Sequence, residues 1–290
     1  MKDPLDIWIG QAEKTWLELL NNHVEDLFSD TFLPSHDHTH HRRVWHNCRK
    51  ILKVHLKDNP KLDPSLVEGV MIAAFFHDTG MVRSTSMEHG LLGKEICRSF
   101  FRERERKNNL APPVRYLEIL EAIEKHDSKD PQIYSGIQPD KNPEILGILS
   151  VADDLEAMGL IGIYRYSEIY LKRGITMADL GVSILKNSTE RYRNISQGCS
   201  FCVGLREEFR QAYDILVSFF EMYNQQLLAT PSPDSTLTGH LGVINHIRRL
   251  SVEGRTRPEN FLAQTGSVNR SSIITGYLTE LNNELEKPLD

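Results

Sequence analysis

The chain has 290 residues, and 34 Lys and Arg residues against 40 Asp and Glu residues give it a formal net charge of −6. This length suits one large domain or one domain with an appendage, and the charge argues against binding extended nucleic acid by neutralising its phosphates. No apolar run approaches the roughly 20 residues that cross a bilayer, and the first six residues lack an apolar signal segment. Four cysteines do not make a disulfide scaffold at this length, so we expect a cytoplasmic protein that does not bind membranes.

Apolar residues recur at helical spacing along most of the chain, and no segment alternates like a half-buried strand. Asp37 is predicted to cap the second helix, and Asp63 followed by Pro64 is predicted to open the third. The helices predicted in the first part of the chain cover residues 5–28, 37–52, 63–80, 87–107, 114–126 and 142–159.

The remainder of the chain also predicts helices. Residues 160–228 carry helical patterns with breaks near Gly174 and Gly198, and the Pro-, Ser- and Thr-rich residues 230–236 predict a linker. Beyond the linker, two or three short helices end in residues 273–286. We therefore predict an all-α fold, a helical bundle with a C-terminal helical extension. Its expected parts are an N-terminal helix packed on the core (1–30), the main domain (31–228) and the linker with the extension (229–290).

Four polar side chains interrupt the apolar stripes of these predicted helices. His77 and Asp78 continue the stripe of the third helix, Asp153 lies on that of the sixth, and His40 lies on that of the second. A buried carboxylate without a partner costs several kcal/mol, so such groups are usually paired or bound to a metal. Each residue alone could be a hydrogen-bonded core residue, but together they indicate metal-ligating side chains that converge on one interior.

Three segments of the chain resemble the HD-domain metal-dependent phosphohydrolases. Residues 36–45 (HDHTHHRRVW) resemble the opening His-Asp-x-x-His-x-x-Arg-Val motif of that superfamily, and residues 73–80 (AAFFHDTG) resemble its His-Asp helix end. Residues 150–159 (SVADDLEAMG) are similar to its distal Ala-Asp-x-Leu-(Asp/Glu)-Ala-x-Gly segment. The resemblance covers about residues 31–175 and is nearest to the bacterial predicted phosphohydrolases that include nucleotide pyrophosphatases.

This resemblance implies an HD-domain helical bundle with a primary metal-ligand set. The implied ligands are His40, His77, Asp78 and Asp153. The sequence departs from the superfamily at Met81, because its nucleotidases and alarmone hydrolases often carry an acidic residue three positions after the paired aspartate.

His89 and His126 are the candidates for a second metal or a phosphate contact. Some members of the superfamily place histidines from the two intervening helices on a second metal, and His126 continues an apolar stripe at three and seven positions after Ile123 and Ile119. Both histidines could instead be core residues. Whether they bind a metal or a phosphate stays open in the sequence.

Other residues near the motifs are expected to have lesser roles. Asp154 lies about 100° round its helix from Asp153, which favours support of a ligand or contact with solvent. Cys199 and Cys202 lack two further ligands nearby, which argues against a zinc site. The remaining histidines of the second helix region are weaker ligand candidates than His40, although the register also allows His41; they are His36, His38, His41 and His46.

The predicted function is hydrolysis of a phosphate ester or anhydride, of a nucleotide or small phosphorylated metabolite, by metal-activated water. Asp78 and His126 are the candidate catalytic residues, and Arg43, Lys94 and Arg165 are the candidate substrate-binding cations. Mixed nitrogen and oxygen ligands suit Mn, Fe, Co, Ni or Zn better than Ca. The expected cofactor is one of these metals or Mg, with one or two ions per chain.

Two alternative functions remain open, a di-iron oxygenase on the same scaffold and a non-catalytic sensor that binds metal or nucleotide. The apolar stripes of the C-terminal helices predict either docking on the core or pairing with another subunit, so a homo-oligomer is a possible assembly.

Overall fold

All regular structure in the described part of the chain is helical. The computed structural model describes residues 3–56, 59–109, 111–128, 130–134, 142–198, 203–264 and 272–289. No strand occurs in these ranges, which confirms the predicted all-α fold. No helix among these residues is long and apolar enough to cross a membrane.

The described residues form twelve α-helices. In chain order they are α1 (Pro4–Phe28), α2 (His38–Ile51), α3 (Pro64–Phe76), α4 (His89–Asn108), α5 (Tyr116–Lys125), α6 (Ile145–Glu156), α7 (Gly159–Lys172), α8 (Met177–Gly198), α9 (Val203–Ala229), α10 (Gly239–Ile247), α11 (Phe261–Gln264) and α12 (Ser272–Leu285).

Aspartate side chains cap the first three helices. Asp3 accepts a hydrogen bond from the backbone N–H of Leu5, and Asp37 accepts one from that of Thr39, both at 3.0 Å. Asp63 accepts one from Leu66 at 2.9 Å. These bonds satisfy backbone donors that the first helical turn leaves without an intrahelical acceptor. The predicted starts of the second and third helices are therefore confirmed.

The chain divides into two compact units, Met1–Leu155 with Asn194–Val203 and Glu156–Arg193 with Gly204–Asp290. In the first unit, α3 is the central helix and packs against α1, α2 and α5. Ten of its thirteen residues are buried, because it has neighbours on several sides rather than one. The domain limits expected above stay a prediction.

The end of α3 differs from the prediction. The α-helix ends at Phe76 rather than at Gly80, and a short 3-10 turn, Thr79–Val82, follows. His77 keeps helical backbone angles, but Asp78 does not. The predicted end was wrong because this turn packs against α4, a contact that helical periodicity does not contain.

In the second unit, the C-terminal helices pack within the chain itself. Helices α10 and α12 contact each other and α7, and the Tyr277 hydroxyl donates to the Leu160 carbonyl at 3.2 Å. The apolar residues Leu241, Ile244 and Leu281 are at most 1% exposed. Of the two expected uses of these stripes, docking on the chain's own helices is the one observed.

Candidate metal centre

The first group of candidate ligands lies in the core of the first unit. His40 comes from α2, His77 and Asp78 from the end of α3, and Asp153 from α6, and all four are at most 6% exposed. One ligand atom from each residue lies within 4.8 Å of those of the other three. The Nε2 atoms of His40 and His77 are 3.1 Å apart, and they lie 3.4 and 3.3 Å from Oδ2 of Asp78. The four side chains that the sequence predicted to converge therefore lie close together in the structure.

A second group consists of Asp78, His89 and His126. Nε2 of His89 lies 3.4 Å from Oδ1 of Asp78, Nε2 of His126 lies 3.2 Å from the same oxygen, and the two nitrogens are 3.3 Å apart. His89 and His126 are 2% and 3% exposed. Asp78 thus belongs to both groups, with Oδ2 toward the first pair of histidines and Oδ1 toward the second.

Backbone carbonyls fix the tautomers of three of these histidines. Nδ1 of His77 lies 2.9 Å from the carbonyl oxygen of Ala74, and the Nδ1 atoms of His89 and His126 lie 2.7 and 2.8 Å from the carbonyl oxygens three residues before them. Because a carbonyl oxygen only accepts hydrogen bonds, each neutral ring carries its proton on Nδ1. Each Nε2 then presents a lone pair toward Asp78, as a metal ligand must.

Two glycines allow the second group to approach Asp78. A Cβ placed on Gly80 would lie 1.9 Å from the carbonyl oxygen of His89, and one on Gly90 would lie 2.6 Å from the carbonyl oxygen of Glu124. Side chains at these positions would therefore separate the 3-10 turn from α4, and α4 from α5. Nothing in the sequence distinguishes these glycines, because their role is a backbone contact between distant segments.

Helix α6 is joined to two of the elements that carry the site. The Ser150 hydroxyl donates to the carbonyl of His126 at 3.1 Å, and the Asn47 side-chain amide donates to the carbonyl of Ala152 at 3.1 Å. These bonds connect α6 to the end of α5 and to α2, and so hold Asp153 against the other ligands.

The donor geometry fits a divalent cation. Ligand atoms about 2.1 Å from an ion are about 3.0 Å apart at right angles and about 3.4 Å apart at the tetrahedral angle. The separations of 3.1 Å between His40 and His77 and 3.3 Å between His89 and His126 agree with these values. Two imidazole lone pairs at such distances repel unless a proton or a cation lies between them. The residues therefore fit an ion in each group.

The charges at the site also favour a cation. Although burial raises the pKa of Asp78, its contacts with His77, His126 and His40 hold that pKa well below the usual range. Burial lowers the pKa of His77, but Asp78 and Asp153 outweigh it and raise the pKa to about 10. Both shifts have one cause, since buried carboxylates require positive charge beside them.

Two further histidines lie beside the first group. His41 is fully buried, with Nδ1 3.3 Å from the carbonyl oxygen of Ala74 and its ring centroid 4.9 Å from that of His77. Burial, together with His77 and His40, holds the pKa of His41 well below its usual range. Within the described residues, His40 and not His41 belongs to a group of side chains that could hold an ion. That His40 is a ligand stays a prediction. The Nε2 atom of His36 lies 4.0 Å from Oδ2 of Asp78.

The three predicted phosphate-binding cations occupy different surroundings. Arg43 is 7% exposed and points Nη1 toward the Thr39 hydroxyl at 3.3 Å. Lys94 is bound to Glu124, with 2.5 Å between Nζ and Oε2. Arg165 is 6% exposed on α7, in the second unit. Their role in substrate binding stays a prediction.

Asp154 is buried and bound rather than solvated. It is 1% exposed, and the hydroxyl of Tyr134 donates to its Oδ2 at 2.7 Å. The sequence contained no signal for Tyr134 as the partner. Cys199 and Cys202 lie outside the described residues.

The family model of the HD domain matches residues 38–158, which include all six candidate ligands. No curated protein and no solved structure matches the chain. Residues 38–158 are thus similar to the HD domain, the family that the three motifs resemble.

Proposed function

We propose that this protein is a metal-dependent phosphohydrolase that cleaves a phosphate ester or anhydride of a nucleotide or another small phosphorylated metabolite. The observation that carries the proposal is the carboxylate of Asp78, whose two oxygens face two separate histidine groups. Two ions that share a carboxylate can hold the attacking and the leaving oxygen of a phosphoryl displacement. The mixed imidazole and carboxylate ligands favour Mn, Fe, Co, Ni or Zn, and Mg is the remaining candidate metal.

The proposed first ion is held by His40, His77, Asp78 and Asp153, and the proposed second by Asp78, His89 and His126. When bound, such ions polarise a phosphoryl oxygen and lower the pKa of bound water to about 7. Asp78 would be catalytic in this scheme as a ligand of both ions, and His126 as a ligand of the second ion. The backbone carbonyls behind three of the histidines keep their Nε2 lone pairs directed at the site. Burial of all these side chains excludes bulk water and strengthens their electrostatic interactions.

Arg43 and Lys94, both in the first unit, are proposed to bind the substrate phosphate, while the role of Arg165 in the second unit stays a prediction from the sequence. Arg43 is the cation of this set that lies on α2, the helix that carries His40. Its guanidinium offers a planar set of donors that matches a phosphate. Lys94 has its Nζ 2.5 Å from the Glu124 carboxylate, so that carboxylate competes with a substrate phosphate for the ammonium group.

Turnover with and without metal tests the proposal. The purified protein is incubated with bis-p-nitrophenyl phosphate, a nucleoside triphosphate and pyrophosphate, after chelation and after addition of Mn²⁺, Mg²⁺, Co²⁺ or Zn²⁺. We expect hydrolysis of at least one substrate that requires metal, and a loss of at least 1000-fold in Asp78→Asn. Asp26→Asn, an exposed substitution on α1, is the matched control and should keep full activity. Equal activity in the two variants would defeat the proposal.

The two alternative functions give different results in the same preparation. A di-iron oxygenase binds iron, is coloured and consumes oxygen with an organic substrate, but hydrolyses none of the phosphates. A sensor binds a metal or a nucleotide without turnover. Iron content, oxygen uptake and nucleotide binding therefore separate these functions from the proposed hydrolase.

A further inference from the structure

His36 is buried at the edge of the metal centre, immediately before the residue that caps α2. It is 5% exposed, and its ring lies edge-on to that of His40 with centroids 5.5 Å apart. Its Nε2 lies 4.0 Å from Oδ2 of Asp78. That separation is too long for a direct hydrogen bond, and it leaves room beside Oδ2 for an oxygen atom that accepts a hydrogen bond of about 2.8 Å from Nε2.

His36 is not one of the residues that geometry brings around a common ion. Within the described residues, the ligand atoms that all lie within 4.8 Å of one another belong to His40, His77, Asp78 and Asp153. His36 therefore lies next to the metal-facing oxygen of Asp78 without completing the ligand set. A histidine in such a position can contact what an ion binds rather than the ion itself.

The partner of Nδ1 distinguishes His36 from the ligands. In His77, His89 and His126, Nδ1 faces a carbonyl oxygen, which forces the proton onto Nδ1. In His36, Nδ1 lies 2.6 Å from the hydroxyl oxygen of Ser35, and a hydroxyl can donate. When Ser35 donates to Nδ1, the neutral ring carries its proton on Nε2, the nitrogen nearest the Asp78 carboxylate.

We infer that His36 is a substrate-contacting residue, which donates a hydrogen bond from Nε2 to a phosphoryl oxygen at the metal centre and is oriented by Ser35. The inference rests on the proposed function. It gives opposite roles to histidines of the same site: those backed by carbonyl oxygens supply lone pairs to ions, and His36 supplies an N–H to the phosphate. The ligand class is an anion with phosphate or phosphate-like oxygens.

If the inference is correct, substitution of His36 weakens the binding of phosphate but not the binding of metal. Mn²⁺ content and affinity are measured first, and inorganic phosphate is then titrated by calorimetry into the Mn²⁺-loaded protein. In His36→Ala we expect Mn²⁺ affinity within about two-fold of the unsubstituted protein, and phosphate affinity lower by about ten-fold, the value of one hydrogen bond to a charged group. His36→Gln keeps a side-chain N–H and should recover part of the loss. His38→Ala, two residues along the chain and half-buried, should bind both as the unsubstituted protein does.

Ser35 supplies a second and independent test. Ser35→Ala should weaken phosphate binding by a few-fold, because Nδ1 loses the donor that keeps the proton on Nε2. The same substitution in the His36→Ala protein should have no further effect, since the ring that it orients is already absent. Additive losses would mean that Ser35 does not act through His36.

The outcomes separate this inference from the proposed function. Loss of Mn²⁺ in both His36 variants would make His36 a ligand and overturn the inference. Unchanged phosphate affinity in both variants would overturn it as well. If the unsubstituted protein binds Mn²⁺ and phosphate but hydrolyses nothing, the phosphohydrolase proposal fails, while the titrations still decide the contact made by His36. His36→Gln preserves a polar side chain of similar reach, so it also serves if His36→Ala does not fold.

Discussion

A Cβ on Gly80 would lie 1.9 Å from the carbonyl oxygen of His89. No side chain fits there, because the nearest atoms belong to the backbone and cannot rotate away. The turn after α3 and the first turn of α4 are therefore in contact, and this contact brings His89 to within 3.4 Å of Asp78.

Gly80→Ala is expected to separate α4 from this turn. We predict a loss of about 1–3 kcal/mol in the free energy of unfolding and a weakened second ion, with the first ion retained. Thermal unfolding and Mn²⁺ stoichiometry are the measurements. Gly10→Ala is the control, because a Cβ at Gly10 in α1 meets nothing within 4 Å and alanine favours a helix. A Gly80→Ala protein as stable and as metal-replete as Gly10→Ala would show that the contact does not position His89.

Substitution of the ligands should remove the ions selectively. We predict that Asp153→Ala loses the ion of the first group, that His126→Ala loses that of the second, and that Asp78→Ala loses both, because Asp78 belongs to both groups. Metal content measured after gel filtration in dilute Mn²⁺ tests this series. Two ions per chain in Asp78→Ala would refute the shared carboxylate.

The prediction that Lys94 binds the substrate phosphate can be tested with Lys125 as the control residue. Each binds a glutamate on α5, Lys94 through Glu124 and Lys125 through Glu121. We predict that Lys94→Ala raises KM about ten-fold at unchanged metal content, and that Lys125→Ala changes neither quantity. Glu124→Gln should lower KM, because it releases the Lys94 ammonium for the substrate. Identical kinetics in the two lysine variants would remove Lys94 from the substrate site.

The cap of α3 should make stability depend on pH. Burial raises the pKa of Asp63, but its bonds from Ser65, Arg115 and the Leu66 N–H outweigh burial and lower it. Because the folded pKa lies below the unfolded value of 3.8, the stabilisation is complete above about pH 5 and is lost as pH falls through the folded pKa. We predict that Asp63→Ala costs about 1 kcal/mol at pH 7.

Asp63→Asn separates the cap from the ion pair with Arg115. Asparagine also caps helices, so this variant should lose only a few tenths of a kcal/mol, the usual contribution of an exposed pair. Urea unfolding is measured from pH 7 to pH 3. The difference in the free energy of unfolding between the original protein and Asp63→Ala should become smaller in acid. A difference that is constant with pH would exclude the carboxylate as its source.

The starts of the helices and the identity of the candidate ligands were predictable from local patterns. Asp37 and Asp63 cap the helices that follow them, because a cap involves residues only two or three apart. His77 and Asp153 could be recognised because a polar residue on an apolar stripe is anomalous wherever the helix packs. The same reasoning could not choose between His40 and His41, since both are buried and the choice depends on what each ring faces.

The sequence alone therefore determined the helical class, the helix caps and the residues able to bind metal, since these follow from interactions within a few residues along the chain. Only the tertiary structure decided that Asp78 faces the two histidine groups with different oxygens, that Ser35 rather than a carbonyl lies behind His36, and that the turn at Gly80 packs on α4. Such relationships join residues from separate helices, and the packing of backbone against backbone sets them at distances that no periodicity encodes.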